Sequence, residues 1–114
     1  MEATDLASAR AKLLTERARL TEEISVAIEV PEQMTYGSQA AAASQVFEQE
    51  RDLAMRDRAN QHLEVVEAAL ARLDDGSYGR CIRCGRDIPP ERLDALPWAA
   101  HCIECQTILD RARR

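Results

Sequence analysis

All four cysteines of this 114-residue chain fall into two pairs, Cys81-Ile82-Arg83-Cys84 and Cys102-Ile103-Glu104-Cys105, with 17 residues between them. A two-residue gap lets both sulfurs of a pair reach one ion from a single tight turn. Two such pairs at this spacing fit a tetrahedral four-thiolate site, which zinc occupies at about 2.3 Å from each sulfur. Gly85 follows Cys84 directly, as a turn that needs a positive φ requires. The expected metal ligands are therefore Cys81, Cys84, Cys102 and Cys105, and the expected cofactor is one structural Zn²⁺. Iron in the same thiolate cage is the chemical alternative. Colour and metal content separate the two, because d¹⁰ Zn²⁺ is silent in the visible.

Other uses of paired cysteines fit less well. Structural disulfides need an oxidising compartment, and the first residues lack the apolar stretch of a secretory signal. A redox pair of the thioredoxin kind expects a βαβ context, and no such pattern precedes Cys81. Reduced cysteines suit the cytoplasm, which is the expected location.

Aromatic residues are few: Phe47, Tyr36, Tyr78 and Trp98. Alanine, leucine, glutamate and arginine dominate. That mixture predicts a mostly α protein with a thin core. No stretch is long and apolar enough to span a bilayer.

Charge is uneven along the chain. Residues 1–77 carry 15 acidic and 8 basic side chains, whereas residues 78–114 carry 5 acidic and 7 basic. Four thiolates around one Zn²⁺ would add a net charge of about −2 to the second segment, cancelling its surplus. Direct binding of nucleic acid is not expected, since phosphate backbones call for surplus Lys and Arg. Arg80, Arg83, Arg86 and Arg92 are expected to compensate the thiolate charge.

Periodicity predicts two long helices. Over residues 5–29, Leu6, Ala9, Leu13, Leu20, Ile24 and Ile28 form one apolar stripe, with Thr4 as N-cap. Pro31 ends this helix, and residues 30–37 read as a connection. Ser38 is placed to cap a second helix that starts in the alanine run 40–43 and continues to Asp74. Its stripe is Met55, Ala59, Leu63, Val66, Leu70 and Leu73, with a looser pattern upstream around Val46, Phe47 and Leu53. Gly76 marks its end. Two such stripes bury most simply against each other, as an antiparallel coiled-coil hairpin.

The expected organisation is a hairpin over residues 1–77 and a four-cysteine zinc-finger module with a C-terminal helix over residues 78–114. Within the module Pro90 opens a short helix over residues 91–96, and residues 106–113 form the last one. Ile82, Ile88, Leu93, Leu96 and Trp98 are expected to pack around the metal and onto the hairpin base.

Little in the chain suggests catalysis. His62 stands alone beside the apolar stripe and reads as a partly buried structural histidine, since general bases come with oriented partners. His101 adjoins Cys102, but four cysteines already close the site, leaving no open coordination position for water. No catalytic residue and no enzyme activity are expected.

Several of these residues together resemble the DksA/TraR family of zinc finger proteins. The matching features are Tyr78-Gly79 before the first cysteine, Cys81 to Cys84 followed by Gly85, Ile88, Glu91-Arg92-Leu93, Ala95, Pro97, and Cys102 to Cys105. The resemblance covers about residues 47–106; the N-terminal helix matches only in character. It implies a bacterial, zinc-binding transcription regulator whose helical hairpin stands on a globular base. It further implies RNA polymerase as partner, entry of the hairpin into the secondary channel, no contact with promoter DNA, and in some members joint action with ppGpp.

One departure from the family matters. Well-known members carry an acidic hairpin tip of the form Asp-x-x-Asp-x-Ala. Counting back from Cys81 places Ser38-Gln39-Ala40-Ala41-Ala42-Ala43 there, and no carboxylate occurs between Glu32 and Glu48. This leaves a second expectation open, a structural zinc-finger and coiled-coil interaction or stress protein without the acidic-tip activity.

Overall fold

A computed structural model describes residues 3–28 and 39–113 of the chain. Four helices follow in order: α1 (Ala3–Ile28), α2 (Gln39–Asp75), α3 (Pro90–Ala95) and α4 (Ile103–Ala112). Among the described residues the only β-type pairing is an isolated antiparallel bridge between Arg80 and Asp87. The residues 30–37 read as a connection, the Ser38 cap and the Ile28 side chain lie outside what is described.

The two long helices run antiparallel. Arg10 of α1 reaches Asp74 near the end of α2, and Glu16 meets His62 further back along it. Leu13, Leu20 and Ala9 of α1 bury against Ala59, Val66, Ala69 and Leu70 of α2, with Leu6, Ile24, Leu63 and Leu73 partly buried beside them. Leu13 and Val66 are fully buried. Burial of one such side chain contributes about 1.5–3 kcal/mol, so a few positions carry much of the pairing.

The seam follows the expected stripe, with two differences. Ala69, which fell outside the predicted stripe, is fully buried, whereas Met55 is 50% exposed. Ala69 has no side chain beyond Cβ, so it permits close approach where a larger residue would hold the helices apart. Met55 lies toward the far end of the seam, where Ile24 is itself only partly buried. Beyond it Val46, Phe47 and Leu53 are all more than half exposed.

At the base, Gly76 takes φ +83°. The amide of Ser77 then turns back to the carbonyl of Arg72 at 3.0 Å, the bond that closes a Schellman-type helix end. Asp75 Oδ1 also accepts from the Ser77 amide at 2.9 Å. Thr4, expected as an N-cap, lies instead in the first turn of α1.

Tyr78, Cys81, Ile88, Leu93, Ala99 and Cys105 belong to the same buried cluster as the hairpin seam. The module and the hairpin base thus share one core. Ile82 does not join it and is 63% exposed. Its amide is tied to the carbonyl of Ala100 at 2.9 Å, and its side chain lies on the outer side of the turn that carries Cys81 and Cys84. The last helix starts at Ile103, three residues before the expected start, because Cys102 is extended (φ −67°, ψ 166°) and serves as its N-cap. Pro90 opens α3 at its first position, as expected.

Candidate metal centre

Each cysteine pair is presented by a different local structure. Cys81 and Cys84 lie on a tight turn between the bridged residues Arg80 and Asp87. The amide of Cys81 donates to Arg86 O at 2.8 Å, and the amide of Gly85 donates to Cys81 O at 2.9 Å. Gly85 has φ +78° with open space around its Cα, so it is required for its backbone conformation and not for room. Cys102 and Cys105 lie at the N-terminus of α4, with Cys105 in its first turn. The positive end of the helix dipole favours thiolates there.

The four Sγ atoms all lie within 4.8 Å of one another. Bonds of about 2.3 Å in a tetrahedron give sulfur–sulfur edges of about 3.8 Å, and the Cys84 and Cys102 sulfurs are 3.8 Å apart. That spacing is the edge of a metal tetrahedron, twice the length of a disulfide bond of about 2.05 Å. The donor set and its dimensions fit a zinc ion that no water need complete.

Protons distribute unevenly over the cluster. Burial opposes the charge on Cys81 most strongly, but the backbone amides of Cys84, Cys102 and Arg83 together with the Cys105 thiol outweigh it and lower Cys81 to about 6. At Cys105 the Arg83 guanidinium favours the thiolate. Burial and the sulfurs of Cys102, Cys81 and Cys84 prevail there and push it up to about 11. Cys81 is therefore ready for a metal at neutral pH, and Cys105 gives up its proton as the metal binds.

The arginines divide in role. Arg83 Nη1 lies 3.5 Å from Cys105 Sγ, as expected for charge compensation. Arg86 pairs with exposed Glu104 at 3.7 Å, and Arg92 Nε donates to the carbonyl of His101 at 3.0 Å. Among the described residues, the side chains close enough together to hold a metal ion are Cys81, Cys84, Cys102 and Cys105.

Sequence reasoning missed the contacts that seat the module. Tyr78 Oη donates to Pro97 O at 2.8 Å, Lys12 Nζ meets Asp94 Oδ1 at 2.6 Å, and the rings of His62 and Trp98 pack edge to face at 4.5 Å. Each joins residues far apart in the chain, so no local pattern announces them.

Residues 76–111 match the family model of the prokaryotic dksA/traR C4-type zinc finger. The RNA polymerase-binding transcription factor DksA of Haemophilus influenzae is 38% identical over 71 residues, which cover 62% of this chain and 49% of that protein. DksA of Escherichia coli K12 is 35% identical over 68 residues, covering 60% and 45%. The matched segments thus span about half the length of these relatives. Over the whole fold, the structure of transcription factor DksA2 from Pseudomonas aeruginosa aligns with TM-score 0.82 and 28% identity, covering 100% of this chain and 89% of that one. The RNA polymerase binding protein and transcriptional regulator Dks from Chlamydia trachomatis shares the fold, with TM-score 0.64 at 20% identity over 98% and 94%. The C4 signature and the clustered cysteines establish a structural zinc. In zinc finger, homology and fold alike, the chain is similar to the DksA/TraR family of C4-type zinc finger proteins.

Proposed function

We propose that the chain is an RNA polymerase-binding regulator of transcription that works by contact and not by catalysis. Its arm is the hairpin, residues 1–77, and its base is the zinc module, residues 78–114. Cys81, Cys84, Cys102 and Cys105 hold one structural zinc that fixes the base. The arm reaches the polymerase through the secondary channel, without direct contact to DNA, in the cytoplasm. ppGpp acts, where it acts, at the interface with the polymerase.

The observation that carries this reading is the shape. A 37-residue α2 runs well past the 26-residue α1, and the molecule extends 59 Å along its longest axis. DksA2, a transcription factor, has the same architecture across the whole of this chain. A closed four-thiolate site serves anchoring, since it offers no position for substrate. Among the described residues no helix is long and apolar enough to cross a membrane.

The test is binding of the zinc-loaded chain to core RNA polymerase, with and without ppGpp, beside a promoter DNA control. Saturable binding to polymerase and none to DNA alone is expected. No binding to polymerase contradicts the reading.

The carboxylate-free stretch from residue 33 to residue 47 favours a second reading. Acidic oxygens can act near a catalytic Mg²⁺, and alanines cannot. The chain then binds as a competitor or interaction module with little effect of its own on initiation. Substituting Ser38→Asp together with Ala41→Asp should strengthen its effect on promoters. No change in transcription would argue against action through the tip.

A further inference from the structure

We propose that Arg92 is a positioning residue for the zinc site: it fixes the peptide unit that joins His101 to Cys102 and so holds the second cysteine pair opposite the first. Arg92 is not one of the four ligands. It acts through the backbone that carries one of them.

The segment between α3 and α4 is neither helix nor strand, so its carbonyls need donors from elsewhere. Four carbonyls in the run from Pro97 to His101 have one, each from a different place. Tyr78 Oη donates to Pro97 O at 2.8 Å, and Arg72 Nη2 lies 3.5 Å from Trp98 O. The Ile82 amide donates to Ala100 O at 2.9 Å, and Arg92 Nε donates to His101 O at 3.0 Å. Of these bonds, the one from Arg92 is made at the peptide unit of a zinc ligand.

His101 O and the Cys102 amide belong to that single unit. A peptide unit is planar and trans, and no cis bond occurs among the described residues. The carbonyl and the amide therefore point in opposite directions. Arg92 takes the carbonyl. On the other side the Cys102 amide hydrogen-bonds the Cys81 sulfur, as the amides of Cys84 and Arg83 also do. Fixing one end of the plane aims the other, and bonds chained in this way polarise one another. The chain runs from α3 through Cys102 of the second pair to Cys81 of the first.

Arg92 is well placed for this task. It lies on α3, which Leu93 anchors in the core, and its own carbonyl accepts from the Leu96 amide at 2.7 Å. Its side chain is half-buried. Among the described residues no carboxylate forms an ion pair with it. Arg86, two residues after Cys84, differs: it pairs with the exposed carboxylate of Glu104 at 3.7 Å. Arg86 therefore provides a control of like charge whose partner is a side chain.

Zinc affinity is measured by competition with a chelating indicator at constant neutral pH, for the wild-type chain, Arg92→Leu and Arg86→Leu. Arg92→Leu should weaken zinc binding by about tenfold or more, and Arg86→Leu should stay close to wild type. Unchanged affinity in Arg92→Leu overturns the proposal. So does an equal loss in Arg86→Leu, because charge alone then accounts for the effect. Amide exchange of the zinc-loaded chain is the second readout. In Arg92→Leu the Cys102 amide should exchange faster, while the amides of Arg83 and Cys84, which face the same sulfur, should keep their wild-type rates. Equal acceleration of all three is general loosening of the module and also overturns the proposal. Arg92→Lys keeps the charge and the aliphatic stem but lacks the guanidinium fork. It should show the same selective change at Cys102 to a smaller extent, and it decides the question if Arg92→Leu loses its helical signal. Wild-type exchange at Cys102 in Arg92→Lys then overturns the proposal.

Discussion

Tyr78 Oη donates a 2.8 Å hydrogen bond to the carbonyl of Pro97 inside the core, bridging 19 residues of sequence. Tyr78 enters the zinc module just after the helix stop at Gly76, and Pro97 leaves α3 toward the second cysteine pair. Burial pushes the phenol up, with Arg72 opposing, so it remains a donor at neutral pH. Tyr78→Phe leaves a buried carbonyl without its partner, a loss of about 1–3 kcal/mol. A lower denaturation midpoint with unchanged zinc content is the expected result of chemical unfolding.

The hairpin seam is narrow, and Leu13 is fully buried in it. Leu13→Ala removes apolar contact and leaves a cavity, at a cost of about 2–5 kcal/mol. For a seam this thin, that is a large part of the total. Circular dichroism during thermal unfolding should show a transition many degrees lower.

The exposed ion pair between Lys12 and Asp94 predicts the opposite. Its side chains are 44% and 80% exposed, and solvent-screened pairs of this kind contribute little. Asp94→Asn should therefore shift the unfolding midpoint much less than Tyr78→Phe. A larger shift than Tyr78→Phe in the same assay would show that the pair does more than surface pairs usually do.

Zinc binding should weaken in acid. Cys81 is lowered from 9.0 to about 6 by the fold. A depressed acid contributes stability that is fully present above the free thiol's value and is lost as pH falls through the folded one. Cys105, pushed up to about 11, binds its proton at neutral pH in the absence of metal and must release it to become a ligand. Both directions make protons compete with zinc. A colorimetric zinc indicator should report retention at neutral pH and release on acidification. Cys84→Ser should release zinc at higher pH and loosen residues 78–113 first.

The cysteine spacing and the two apolar stripes were enough to read the architecture from sequence, because both are local repeats with a physical period. Leu13, Leu20, Val66 and Leu70 lie where the helical period puts them. Ala69 was not legible, since alanine's burial depends on how closely a neighbouring helix approaches. Ile82 reads as core by its chemistry but is exposed, because a turn that aims two sulfurs inward leaves the side chain between them outside. The start of α4 was missed because Cys102 looks like a ligand and not like a cap. His62 was placed correctly beside the seam, but its partner Trp98 is 36 residues away, and only the folded chain brings the rings together.

The central proposal is that this zinc-anchored hairpin docks on RNA polymerase. The most direct measurement is the equilibrium binding of the fluorescently labelled, zinc-loaded chain to core polymerase, in competition with unlabelled DksA. Saturable binding that DksA displaces, and that is weakened when Cys84→Ser loosens the base, is the predicted result. Absence of binding by the intact, zinc-loaded chain would contradict the account.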